Sequence, residues 1–506
     1  MNNDMILILD FGGSLSQSIA RKVRGGQVYC EVLPYNTPTD QIAAKAPKGI
    51  ILVGKTQDDS DLDTRESDRA IYGLNIPILA IGYGARVLLR QMGGKSLGAV
   101  LTNHTLEVDF QPSPLFEGLT RSERFISRID AVELPEDYVS IAQGGGLIAA
   151  FADEANKRYG LQFSAEQNDP DGLTVLSNFS RGICMCDPWW SMETFVKQQL
   201  TSIRERIGGG SALMAISGGV DSSVSAVLMH RAIGRRMHCL YVDTGLMRKG
   251  ETDMVRDIFS EQMGMSLIVI DAKDRFLKRL CGVTNPEEKR RIIGDEFVRV
   301  FEDEAAKIGD VEYLVQGTIY PDVIESYGVD GTMIKTHHNV GGLPSQIKFQ
   351  SIVEPLRELF KDEVRQAGEV LAMPKETIYR QPFPGPGLAV RCLGEVTEDK
   401  LSVLREADAI FRDEVNAAGL GRKIWQYFAI LTDTRSTGVS KAGGRAYDHV
   451  VALRAVNSVD AMSATSYRLP YDLLERVADR ITKEVPGVSR VVYDITGKPP
   501  GTIEWE

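Results

Sequence analysis

The chain has 506 residues, too many for one hydrophobic core, so two or three domains are expected. Apolar residues make up 43% and charged residues 25%, the balance of a water-soluble globular protein. The formal charge of −11 works against general nucleic-acid binding, and there is no apolar run of about 18 residues to span a membrane.

The opening "MNNDMILILD" lacks a signal-peptide layout. The six cysteines (Cys30, Cys184, Cys186, Cys239, Cys281 and Cys392) are scattered without zinc spacing, so a reducing, cytoplasmic setting is expected. From "MILILD" to about Phe179, apolar runs such as "GIILVG", "PILAI" and "YGLQFS" alternate with helical stretches, which indicates an α/β sheet. Within it, "PILAIGYGARVLLRQMGG" (77–94) reads as strand, tight turn and helix, the shape of an elbow that presents a nucleophile. Its apex, Gly82, has no side chain.

"CMCDPWWSMETFVKQQLTSIRERIGGG" (184–210) then reads as a helix closed by a triple glycine. A second α/β region follows, with strands in "SALMAI", "MHCLYVD", "SLIVID" and "EYLVQGT". From about Pro384, "YDHVVALRAV", "YDLLERVADRITKEV" and "SRVVYDITG" suggest a small α+β terminal domain. No internal repeat or low-complexity tract is present.

The strongest chemical signal is "ALMAISGGVDSSVSAVLMHRAIG". A buried strand ends at Ile216 and a helix begins after Ser217-Gly218-Gly219-Val220-Asp221-Ser222-Ser223. Two glycines allow a sharp turn, and hydroxyls and a helix N-terminus supply anion donors. Asp221 could hold a magnesium ion that neutralises bound phosphates. The lysine of a Walker A loop is missing. The unit resembles the PP-loop of N-type ATP pyrophosphatases, which split ATP between its α- and β-phosphates.

Further on, "VDTGLMRKGE" (242–251), "QGTIYPDVIES" (316–326), "IKTHHNVGGLP" (334–344), "RQPFPGPGLAVR" (380–391) and the final "DITGKPPGTIEWE" occur in that order. Each alone reads as a polar loop, a solvated helix face or a turn. Together they resemble the GMP synthetase family along essentially the whole chain. The resemblance implies a class I glutamine amidotransferase-like domain over 1–189 with a flavodoxin-like fold, a Rossmann-like ATP pyrophosphatase over 190–383, and an α+β dimerisation and XMP-binding domain over 384–506. It also implies amination of XMP to GMP with release of AMP and pyrophosphate, ATP and Mg2+ as cofactors, and a homodimer.

Carried over by residue, Ser217 to Ser223 would bind the ATP phosphates, and Asp322 and Glu325 would form an acidic pair near magnesium. Lys335, His337, His338 and Asn339 would belong to a lid, with Lys335 stabilising charge on the transferring phosphate. Arg248, Pro384, Gly385, Gln426, Lys498 and Glu504 would recognise XMP. In the last domain the family's "GVMGDGRTYD"-like and "TAHW"-like segments read "GVSKAGGRAYD" and "SATSY" here.

The amidotransferase part departs from the family where its chemistry should be. The family elbow reads close to "GICYG", and here it is "AIGYG", so Gly82 stands where the cysteine belongs. The His-Pro-Glu segment is Ser164-Ala165-Glu166, which keeps the glutamate and loses the base. The oxyanion loop is "VGKTQDD", and an "SHGD"-like stretch reads "SRID" at Ser127–Asp130. Losing nucleophile, base and oxyanion loop together predicts a pseudoenzyme domain and ammonia drawn from solution or from a separate supplying protein. Two other readings stay open at this point: a PP-loop ligase aminating an XMP analogue, and a non-catalytic nucleotide-binding regulator. The regulator would be expected to show damage in the ATP loop or lid, where none is seen.

Overall fold

The structure, a computed structural model, describes residues 4–13, 15–54, 65–163, 165, 170–309, 311–326, 349–439, 444–458, 461 and 463–506, save the side chains of Pro170 and Glu325. It contains two compact units, one of Met1–Phe195 with Tyr320–Thr336 and one of Val196–Ile319 with His337–Glu506.

The first unit is built on a nine-stranded sheet. Its strands are β1 (Met5–Asp10), β2 (Tyr29–Pro34), β3 (Gly49–Gly54), β4 (Ile78–Gly82), β5 (Lys95–Phe110), β6 (Arg121–Glu133), β7 (Val139–Gly144), β8 (Leu147–Asp153) and β9 (Arg158–Leu161). The order is β2-β1-β3-β4-β9-β8-β7-β5-β6. From β2 to β9 the pairs are parallel, and β9-β8, β8-β7, β7-β5 and β5-β6 are antiparallel. β1, β3 and the body of β4 are buried, as strands covered on both faces must be, which is why they read as unbroken apolar runs.

The stretch read as one helix over 184–210 is helical only over Met192–Ile207. Residues before it are pinned to the first unit instead: Asp187 N donates to Asp4 Oδ2 (3.0 Å), Trp189 Nε1 to Asp4 O (2.8 Å) and Trp190 N to Gln27 O (2.9 Å). Pro188 disfavours helix in the residue before it, and the Ser191 hydroxyl accepts from Thr194 N at 3.2 Å to start the helix. Gly208, at φ +56°, ends it.

The second unit holds two sheets. One is fully parallel, with β10 (Ala212–Ala215), β11 (Met237–Asp243), β12 (Ser266–Asp271), β13 (Tyr313–Val315) and β14 (Ser351–Val353) in the order β12-β11-β10-β13-β14. The chain crosses from one side of β10 to the other, so the carboxyl ends of β10 and β13 border the crevice where such sheets take ligands. The other sheet has β15 (Gln426–Val439), β16 (Arg445–Asn457), β17 (Thr465–Ser466) and β18 (Val488–Asp494), with β16 central, antiparallel to β15 and β17 and parallel to β18. One apolar core joins the two sheets' layers, running from Val242, Leu246 and Phe276 through Leu388 and Leu404 to Leu453 and Val477. "RQPFPGPGLAVR", read as a Pro/Gly loop, ends in a short helical turn over Gly387–Arg391.

Candidate active site

β10 leads directly into the Ser217–Ser223 loop, with Ile216 N bonded to Leu240 O at 2.8 Å. Gly218 turns the chain at φ +73°, and a Cβ there would meet Arg380 Nη1 at 2.6 Å. The helix Val220–Ile233 follows, with Gly219 as its N-cap. The hydroxyls stitch the turn: Ser222 Oγ and Ser223 Oγ donate to Gly219 O (3.0 and 2.7 Å), and Ser217 Oγ lies 3.1 Å from Ser222 Oγ. Gly317, just after β13, closes the other side, since a Cβ on it would sit 3.3 Å from Ser222 N.

Three residues not singled out from the sequence surround this loop. Arg380 Nη1 donates to Gly218 O at 2.8 Å while its Nη2 pairs with the buried Glu251. Lys361 Nζ lies 2.5 Å from Asp221 Oδ2. Asp221 Oδ1 is buried and accepts no hydrogen bond among the described residues. An acceptor oxygen of this kind, beside a phosphate-type loop, fits a magnesium ligand. No group of three or more metal-type side chains occurs among the described residues.

Of the residues assigned to XMP, Arg248, Gln426 and Glu504 come together. Gln426 Nε2 donates to Glu504 Oε1 (3.3 Å) and Pro382 O (3.1 Å). Arg248 is buried, lies over the Phe383 ring at 4.4 Å and faces Asp408 at 3.6 Å. Burial, only partly offset by Asp408, pulls its pKa down to about 9, so it remains a cation at neutral pH that an anion would stabilise. Pro384 accepts from Gly387 N (2.9 Å), and Gly385 is exposed with open space at its Cβ position. Lys498 Nζ donates to Ala461 O at 2.9 Å.

Asp322 and Glu325 lie on the helix Tyr320–Ser326, which belongs to the first compact unit. Asp322 is half-buried, and its carbonyl accepts from Ser326 Oγ at 2.6 Å. The Glu325 side chain lies outside the described residues, as do Lys335, His337, His338 and Asn339.

The elbow exists as expected: β4 runs straight into the helix Tyr83–Gln91. Gly82 adopts φ +61° and ψ −116°, a conformation that side chains adopt only under strain. Ser164 and Glu166 are outside the described residues, while Ala165 is buried. Around the elbow helix stands an ionic cluster that includes Arg128 and Asp130 of the "SRID" stretch. Asp130, 1% exposed in its side chain, is bracketed by Arg86 Nε (3.0 Å) and Arg128 Nε (2.7 Å). Gln162, two residues before Ser164, locks the Asp130 backbone: Asp130 N donates to its Oε1 (2.9 Å), and its Nε2 donates to Asp130 O (3.1 Å).

Comparison with known proteins matches residues 7–181 to the family "Glutamine amidotransferase class-I" and residues 413–505 to "GMP synthase C terminal domain". The chain is 51% identical to proteins named GMP synthase [glutamine-hydrolyzing] of Acetivibrio thermocellus and Caldicellulosiruptor saccharolyticus, each over 512 residues covering 100% of both chains. It is 49% identical to the protein of that name from Clostridium tetani over 513 residues, again covering 100% of both. Identity at this level over the full length of both partners shows that the chain belongs to the GMP synthase family.

Proposed function

We propose that the chain aminates XMP to GMP using ATP and ammonia, releases AMP and pyrophosphate, and does not itself hydrolyse glutamine. The synthetic half rests on family membership together with the intact Ser217–Ser223 loop. The ammonia half rests on one observation, an elbow whose apex is Gly82. The relatives' name includes glutamine hydrolysis, a property of those proteins that requires a nucleophile this elbow does not carry.

In the proposed reaction a ring carbonyl oxygen of XMP attacks the α-phosphorus of ATP. The new O–P bond forms as the bond to the β-phosphate oxygen breaks, and pyrophosphate leaves. Backbone N–H groups at the start of the helix Val220–Ile233 face the phosphates, and Arg380 fixes the Gly218 carbonyl so that the turn holds its shape. Magnesium held at Asp221 would neutralise the departing charge. The family resemblance also assigns Lys335, His337, His338, Asp322 and Glu325 to this step. Ammonia then adds at the activated ring carbon, loses a proton and displaces AMP. Arg248 with Lys498 suits the 5′-phosphate, and Glu504 with Gln426 the ring or ribose, with Pro384 and Gly385 lining the approach.

The ammonia comes from solution or from a separate protein. A homodimer through the last domain rests on the family resemblance. No helix among the described residues is long and apolar enough to cross a membrane. Purified protein given ATP, magnesium, XMP and ammonium should form GMP and pyrophosphate in equal amounts, and glutamine in place of ammonium should give none. No turnover at saturating ammonium removes the whole proposal, and steady GMP formation from glutamine removes its second half.

A further inference from the structure

We propose that Arg391 is the positioning residue that aims Glu504 at the acceptor nucleotide, and that Lys289 holds the segment carrying Glu504 in register by binding Glu506. The inference rests on the assignment of Glu504 to XMP and gives that site its missing support.

Arg391 and Lys289 are both 0% exposed in their side chains. A buried cation is costly unless its partners are good, so the partners show what it is for. The Arg391 fork meets Glu504 on both oxygens, Nε to Oε2 at 2.9 Å and Nη2 to Oε1 at 2.8 Å, a planar bidentate pair that fixes the plane of the carboxylate. Its guanidinium lies 3.8 Å from the centre of the Phe428 ring, so the fork is itself held from behind.

Arg391 Nη1 is buried and donates to nothing among the described residues, and Arg248 Nε and Nη2 are in the same condition. Both guanidiniums lie against one ring, Phe383, at 5.3 and 4.4 Å. Unspent buried donors on two cations at one aromatic ring suit a ligand rich in acceptor oxygens, and a xanthine nucleotide supplies them through its carbonyls and phosphate.

Lys289 acts one step further back. Its Nζ donates to Ala389 O (3.3 Å) and Cys392 O (2.8 Å), which flank Arg391, and to the Glu506 carboxylate, two residues beyond Glu504. Gly394 N donates to the same carboxylate at 3.0 Å, and Arg290 Nη2 donates to the Glu506 main-chain oxygen at 2.5 Å. The segments 389–394 and 504–506 are therefore tied on either side of the Arg391–Glu504 pair.

The test uses the full chain in the ammonium-driven reaction, with XMP binding followed separately by calorimetry. Arg391→Lys keeps the charge and loses the fork, so KM for XMP should rise by roughly ten- to a hundredfold while KM for ATP stays within about twofold. Glu504→Gln should act in the same direction, and Arg391→Lys combined with Glu504→Gln should be little worse than Glu504→Gln alone. Glu506→Gln, which keeps the shape and removes the charge, should raise KM for XMP by a smaller factor. Unchanged KM for XMP in Arg391→Lys, equal rises for both substrates, or fully multiplicative effects in the double variant would each overturn the inference. A wild-type protein that neither binds XMP nor consumes it overturns the functional proposal first; one that does both while Arg391→Lys behaves like wild type overturns only this inference.

Discussion

Gly54 and Gly82 face each other at the carboxyl ends of β3 and β4, and a Cβ on Gly82 would lie 2.8 Å from the Gly54 carbonyl oxygen. The backbone keeps the shape of an elbow, but the space directly over its apex is taken by main chain. Gly82→Cys is therefore expected to destabilise the protein by about 1–3 kcal/mol, from the positive φ and the forced shift of Gly54. It should not create glutamine hydrolysis, because under the proposed function Ser164 replaces the base. Thermal denaturation and an ammonia-release assay with glutamine check both parts, and ammonium-driven turnover should stay near wild type. Ammonia release from glutamine by this single variant would show that a base survives elsewhere.

The Arg86–Asp130–Arg128 cluster makes a second expectation. Asp130 is the shared partner of two largely buried guanidiniums, and its main chain is fixed by Gln162. Asp130→Asn removes the carboxylate that the two guanidiniums share and should cost about 3–5 kcal/mol. The loss should be read in a chemical denaturation midpoint. Unfolding should be confined to the first unit's transition if the units melt separately. A change within ±0.5 kcal/mol would show that the two arginines have adequate partners without Asp130.

What could be read from the sequence follows a physical divide. β1, β3, β10 and β11 are parallel strands buried along nearly their whole length, so "MILILD" and "MHCLYVD" declare themselves. The long β5–β6 hairpin is mostly exposed along Lys95–Glu107, and a strand with no buried face leaves no period to detect. The Ser217 loop was legible because its glycines and hydroxyls are consecutive. Its partners were not: Lys361 is 140 residues from Asp221, and Arg380 is 162 from Gly218. Arg391 and Lys289 were hidden for another reason. A fully buried cation looks like any surface lysine or arginine until its carboxylate is brought to it by folding.

Those hidden partners give the Ser217–Ser223 loop its own test. Asp221→Ala removes the oxygen assigned to magnesium and should lower pyrophosphate release at least about a hundredfold. Lys361→Met removes a half-exposed ammonium from the same carboxylate and should raise KM for ATP several-fold with little effect on KM for XMP. Pyrophosphate release at the wild-type rate by Asp221→Ala would take that residue out of the site.

The last sheet carries a pH dependence whose sign is fixed by His449. Arg435 Nη2 lies 3.2 Å from its Nε2, so that nitrogen is the acceptor, and Nδ1–H donates to Thr432 O at 3.3 Å. Burial, then the nearby Arg435 charge, lowers its pKa from the ordinary 6.5; the Thr432 carbonyl works in the opposite direction, Lys400 adds to the lowering, and Asp433 opposes it. The folded state therefore holds His449 neutral where the unfolded chain would already take up a proton. More protons are bound by the unfolded state as pH falls through 6.5, so stability declines on acidification over that range and is fully present above it. His449→Gln keeps a neutral acceptor and should flatten this part of the stability curve between pH 7 and the folded-state pKa. Denaturation midpoints of both proteins across the range measure the difference, and parallel curves would show that His449 is not the group responsible.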